Sequence, residues 1–254
     1  MDSICTDQSD QAIVIATSGS FVRHGYDMDK AFMGKFARAP YMMVRPTVRA
    51  TPWARKHDGF VILQEVAKAR MQFPAHKIIV LAYSETAITV SDMINLGLFD
   101  PYNVVVVLMA NGNRANGGFR SRFRKINATI ADGKTPVIDI AKEYDGLSDY
   151  PVDSRNFLAC ANAVIGYLTS HGGSMKTVDF DKAVREYGEV CDNTVYITVP
   201  HPSGTVPLNR LLLALGLRFM PERWQNRLID MIETRVNTGY YCPSKIGQDV
   251  KFRG

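Results

Sequence analysis

Hydrophobic and polar positions alternate along this chain in two periods. Short, mostly apolar runs recur at Ala12–Thr17 (AIVIAT), Lys77–Tyr83 (KIIVLAY), Asn103–Met109 (NVVVVLM) and Thr194–Val199 (TVYITV), with a further strand-like run at Thr135–Tyr144 (TPVIDIAKEY). Such runs, bounded by turn residues, predict strands buried on both faces, and Thr194–Val199 is expected at a sheet edge. Between them the spacing turns helical, over Gly59–Arg70 and Thr86–Leu98. Phe157, Leu158, Ala161, Val164, Ile165 and Leu168 fall on one helical face, with Asp153 or Ser154 as the expected cap. Trp224, Leu228, Met231 and Ile232 form a second stripe, started by Pro221 and stopped by Gly239. Both helices are predicted to face the core. Strands alternating with helices predict an α/β fold with a mainly parallel sheet covered on both faces.

Composition narrows this picture. The chain has 254 residues and no linker-like or repeated segment, so a single domain over 1–254 is expected, helical over about 205–240. The longest apolar runs, Val104–Ala110 and Leu211–Leu217, fall short of the ~18 residues of a membrane span. Met1–Gln11 is polar and acidic, unlike a secretory signal, which predicts synthesis in the cytoplasm. Cys5, Cys160, Cys191 and Cys242 are scattered, form no C-x-x-C pair, and are expected as free thiols without a zinc site. Net charge is +5, and the basic run Arg120, Arg122, Arg124 and Lys125 lacks the interleaved aromatics of a nucleic-acid surface. It reads as a solvated face, or as a weak attraction to an anionic surface or polymer. No nucleic-acid partner, cofactor or metal is expected.

The chemistry concentrates at Lys77–Ala87, KIIVLAYSETA, where an apolar strand runs into Ser84 and a helix follows. That is the setting of a nucleophile elbow, which exposes a serine at the carboxyl edge of a sheet and at a helix N-terminus. A serine there is also an ordinary helix cap, so the reading needs partners. A serine nucleophile requires a base, usually histidine, oriented by a carboxylate. In the hydrolase order Ser, Asp, His, the candidates are Asp145 or Asp149, then His171 or His201. Each has a plainer role open to it: turn or cap for the aspartates, helix C-cap for His171, rigid turn between prolines for His201. The backbone N–H of Glu85, with Ser18–Gly19 in the loop after the first strand, would form the oxyanion hole.

In this order the segments resemble the PE-PPE domain, a mycobacterial serine hydrolase module related to cutinases and phage lysin B esterases. The likeness rests on T-S-G-S at 17–20, on the elbow, and on L-M-A-N-G-N-R-A-N-G-G-F-R-S-R-F at 108–123. It continues through Y-D-G-L-S-D-Y-P at 144–151, the helix N-F-L-A-C-A-N-A-V-I-G-Y-L-T-S-H-G-G at 156–173, N-T-V-Y-I-T-V-P at 193–200 and V-N-T-G-Y at 236–240. The resemblance implies a cutinase-like α/β-hydrolase, a three-layer sandwich. It also implies a Ser-Asp-His triad acting on lipid esters through an acyl-enzyme, as hydrolase or acyltransferase, and no metal. By position it selects His171 over His201.

The chain departs from the pattern at Ala82 and Thr86, which stand where elbow glycines are usual, and at Glu85, where glutamine is usual. The usual N-terminal PE or PPE module is expected to be absent. A free-standing domain of this kind is expected of a phage-encoded enzyme, associated with the virion, released at lysis or acting at the cell envelope. The partners expected are a lipid or envelope ester and, for a virion component, other virion proteins. The alternative reading is a weakly active or inactive hydrolase fold serving as a virion structural or cell-surface-binding protein.

Overall fold

A computed structural model describes residues 11–19, 28–99, 102–123, 128–129, 134–201 and 205–240. Its strands are β1 (Ala12–Thr17), β2 (Tyr41–Val44), β3 (Lys77–Tyr83), β4 (Val104–Met109), β5 (Val137–Lys142), β6 (Gly188–Cys191) and β7 (Thr194–Val199). They form one sheet in the order β2-β1-β3-β4-β5-β7-β6. Every pairing is parallel except β6 with β7. The architecture is α/β, with a mostly parallel sheet and β3 inside it between β1 and β4.

The helices are α1 (Arg55–Gln72), α2 (Glu85–Asn95), α3 (Phe119–Phe123), α4 (Phe157–Ser170), α5 (Phe180–Tyr187), α6 (Pro207–Leu215) and α7 (Glu222–Asn237). Because β-strand side chains alternate between faces, each strand feeds two cores. On one face Ile13, Ile15, Val80 and Val106 pack with Ile62 and Val66 of α1 and with Val90 and Met93 of α2. On the other, Val14, Leu81, Val107 and Ile140 pack with Phe32, Met175 and Phe180. Each such buried aliphatic side chain contributes about 1.5–3 kcal/mol through its removal from water. A third cluster joins Tyr144 to Leu208 of α6 and to Ile232 and Val236 of α7, with Leu158 and Ile165 of α4 against it.

Four expectations are corrected. Thr194–Val199 is second from the edge, because the short polar strand β6 folds back antiparallel and covers it. The cap of α4 is Asn156, whose side-chain oxygen accepts from the Ala159 N–H; Asp153 turns instead to the Arg155 backbone N–H and side chain. The apolar face of α4 is divided, with Phe157, Val164 and Leu168 exposed. On α7, Ile232 is buried and Leu228 packs beside it, but Trp224 and Met231 are exposed. Cys160 and Cys191 are free thiols, while Cys5 and Cys242 lie outside the described residues.

Candidate active site

The site begins where β3 ends. Ser84 follows Tyr83 with φ 58° and ψ −118°, a sparsely populated conformation for a residue with a side chain. The turn is held by Thr86, whose hydroxyl accepts from the Tyr83 N–H at 3.2 Å and bonds the Thr17 hydroxyl at 3.1 Å. That hydroxyl also lies 3.1 Å from the Thr17 carbonyl and 3.0 Å from the Tyr83 carbonyl. Thr86 thus stitches the ends of β1 and β3 together where a glycine was the usual residue. Ala82 is fully buried and pairs with Thr17 across the sheet.

Ser84 stands at the N-cap position of α2, yet its side chain makes no cap hydrogen bond. Its Oγ lies instead 2.8 Å from His171 Nε2. On the far side of the ring, His171 Nδ1 lies 3.0 Å from each Asp145 oxygen. With Nδ1–H donating to Asp145, Nε2 is left to accept the Ser84 proton. Asp145 is wholly buried, and its oxygens also accept from the Leu147 N–H at 3.1 Å and the Ser148 hydroxyl at 3.0 Å.

His171 reaches this edge because the C-terminal half of α4 lies directly on the loop that carries Asp145. A Cβ on Gly166 would sit 1.9 Å from the Tyr144 carbonyl oxygen, and one on Gly146 would sit 2.2 Å from the Ala163 carbonyl oxygen. Only glycine at both positions allows that approach. The Tyr83 hydroxyl donates to the His171 carbonyl, and the Tyr83 and Tyr167 rings lie 5.4 and 4.8 Å from the imidazole, centroid to centroid. Neither tyrosine was singled out in the sequence, although Tyr83 sits inside the elbow motif itself. Burial, with the Asp145 and Glu85 carboxylates, pushes the Tyr167 hydroxyl above its usual range.

The remaining candidates separate cleanly. Asp149 accepts the Tyr144 N–H at 2.7 Å, and burial pushes its carboxyl up to about 7. It braces the left-handed Tyr144 rather than the histidine. His201 Nε2 is 3.4 Å from the Ser170 hydroxyl and its backbone N–H donates to Glu143. Burial, Lys142 and Arg210 push its imidazole down. Glu85 opens α2 directly after Ser84, and its carboxylate takes the Arg55 guanidinium at 2.6 Å. Ser18 is half-buried and Gly19 buried beside Ser84; Ser20 lies outside the described residues. Of the basic run, Arg120 donates to the Asn113 side chain at 2.9 Å, while Arg124 and Lys125 lie outside the described residues. An apolar groove of about 320 Å³ opens beside Tyr167, walled by Phe119, Leu147, Tyr150 and Val164.

No cluster of His, Cys, Asp and Glu among the described residues could hold a metal ion. No described helix is long and apolar enough to cross a membrane. The family model of the PE-PPE domain matches residues 51–241. The chain belongs to the PE-PPE domain family. Esterase PE16 of Mycobacterium tuberculosis (strain ATCC 25618 / H37Rv) is 29% identical over 192 residues, covering 68% of this chain and 33% of that protein. The uncharacterized PPE family protein PPE42 of Mycobacterium tuberculosis (strain CDC 1551 / Oshkosh) is 39% identical over 75 residues, 26% of this chain and 13% of its own. The chain thus spans a third or less of the length of these two relatives. Among solved structures, a cutinase-like protein from Cryptococcus sp. matches with a TM-score of 0.46 and 15% identity, over 69% of this chain and 94% of that one.

Proposed function

We propose that this PE-PPE domain is a serine ester hydrolase in which Ser84 is the nucleophile, His171 the general base and Asp145 the residue that orients it. The observation that carries the reading is the continuous line from Ser84 Oγ through the imidazole to Asp145, at 2.8 and 3.0 Å. In the first step the Ser84 hydroxyl oxygen attacks the ester carbonyl carbon while His171 Nε2 takes its proton. Asp145 stabilises the imidazolium that results. The carbonyl oxygen becomes an oxyanion, held by the Glu85 N–H at the start of α2 and by the backbone at Ser18–Gly19. As the tetrahedral intermediate collapses, His171 protonates the departing alcohol and an acyl-Ser84 ester remains. Water activated by His171 then releases the acid. An alcohol acceptor in place of water would make the same site an acyltransferase.

The apolar groove beside Tyr167 suits an acyl chain, and its volume lies within the range of small-molecule sites. Lipid esters are therefore the substrate class favoured here, consistent with the name of the relative Esterase PE16. Neither relative named above is a phage protein, and both come from Mycobacterium tuberculosis. The test is hydrolysis of a p-nitrophenyl ester series by wild type and Ser84→Ala. Loss of turnover by several powers of ten in a folded variant supports the reading, and wild-type turnover by Ser84→Ala overturns it.

A further inference from the structure

The residue that supplies an oxyanion-hole N–H also carries a negative charge. Glu85 is buried at the first position of α2, one residue from Ser84, and its side chain is only 10% exposed. An anion there opposes the chemistry, because it repels the oxyanion that forms within a few ångströms of its own backbone. Its field reaches the histidine's surroundings, since Glu85 is one of the two carboxylates acting on the Tyr167 hydroxyl, whose ring lies against His171.

The structure answers this charge from a different helix. Arg55, the first residue of α1, places Nε 2.6 Å from Glu85 Oε1, and its guanidinium is itself only 22% exposed. In such partly dry surroundings a close ion pair is stronger than at the open surface. The same guanidinium lies 4.0 Å from Asp92, about two turns further along the same face of α2. Asp92 does not depend on Arg55, because Arg120 lies 3.9 Å away and the Asn113 amide donates to it at 2.8 Å. Arg55 from α1 thus faces Glu85, and Asp145, Tyr83 and Tyr167 face His171, while Asp92 and Arg120 form a neighbouring charged pair.

We infer that Arg55 is a positioning residue for the oxyanion site: it holds the Glu85 carboxylate toward α1 and neutralises it, so that the first turn of α2 presents donors rather than a net negative charge. This rests on the reading of Ser84, Asp145 and His171 as a hydrolytic triad.

The pair lies 30 residues apart and on two helices, so a double-variant cycle that removes each charge isolates it. Arg55→Ala should lower kcat for a p-nitrophenyl ester about tenfold with KM changed less than about twofold, the pattern of a group that acts on the transition state. Adding Glu85→Gln to Arg55→Ala should recover most of the turnover. Arg55→Lys should keep an intermediate rate. Circular dichroism and a melting curve on each variant separate a folding defect from this effect. If Arg55→Ala misfolds, Arg55→Lys against the double variant carries the same comparison. Arg55→Ala with wild-type kcat, or a double variant no faster than Arg55→Ala, overturns the inference while leaving the triad reading intact. Turnover that survives Ser84→Ala overturns both.

Discussion

Gly19 passes so close to Ser84 that a Cβ on Gly19 would stand 2.6 Å from Ser84 Cβ. The contact ties the loop after β1 to the elbow after β3, and in the proposed mechanism it brings a second stretch of backbone to the ester oxygen. A methyl group there cannot be absorbed by a flexible side chain, since the Tyr83 carbonyl oxygen is also only 3.1 Å from it.

Gly19→Ala should therefore push the loop away from Ser84 while leaving the two main cores untouched. Loss of one oxyanion donor costs about 10²–10³ in kcat in well-studied hydrolases. The variant should melt close to the wild type but hydrolyse a p-nitrophenyl ester about a hundredfold more slowly. Steady-state kinetics beside a melting curve checks both halves; wild-type kcat would show that this backbone takes no part.

His171 and His201 offer a sharper discrimination. Only His171 lies within hydrogen-bond reach of Ser84. His171→Ala should remove activity by several powers of ten. His201→Ala should change kcat/KM by less than about tenfold, about 1.4 kcal/mol of barrier. The reverse order, measured on the same ester, would reassign the base.

The elbow was legible because local signals coincide there: an apolar run, a small residue, a serine and a helical period within eleven residues. The choice between Asp145 and Asp149 was not, since both follow one strand in a single turn, and only the folded loop, with Asp145 3.0 Å from His171 Nδ1 and Asp149 on the Tyr144 N–H, shows which faces the imidazole. β2 and β6 escaped notice for a physical reason. Tyr41–Val44 and Gly188–Cys191 are four residues each at the two edges of the sheet, where half-exposed positions dilute the apolar pattern. The helical stripe of α4 was read correctly as a stripe, but periodicity does not report what covers it, and Phe157 and Leu168 remain exposed. The Arg55–Glu85 pair joins two helices across 30 residues, a separation at which sequence spacing carries no signal.

Asp149 should show itself in stability rather than catalysis. Burial raises its carboxyl from 3.8 to about 7, and that of Asp139, also buried, to about 6. The folded state therefore holds these protons at pH values where the unfolded chain has lost them. Their stabilisation is complete below about pH 4, declines as pH rises, and is lost through pH 6–7. The decline from Asp149 amounts to at most roughly 4 kcal/mol. Asp149→Asn keeps an acceptor for the Tyr144 N–H and cannot ionise, so its melting temperature should fall less than the wild type's between pH 5 and 8. An equally steep fall in both proteins would contradict this placement of the proton.

The activated state of Ser84 is the central claim, and a fluorophosphonate probe measures it without knowledge of the substrate. The probe phosphonylates a serine oxygen only where a base removes its proton and an oxyanion hole receives the phosphoryl oxygen. Incubation of the purified protein at neutral pH, followed by mass spectrometry of its peptides, should place a single adduct on Ser84. Ser84→Ala should take no label, and His171→Ala should label far more slowly. A folded wild-type protein whose Ser84 stays unmodified, or an adduct on another residue that persists in Ser84→Ala, would contradict the account.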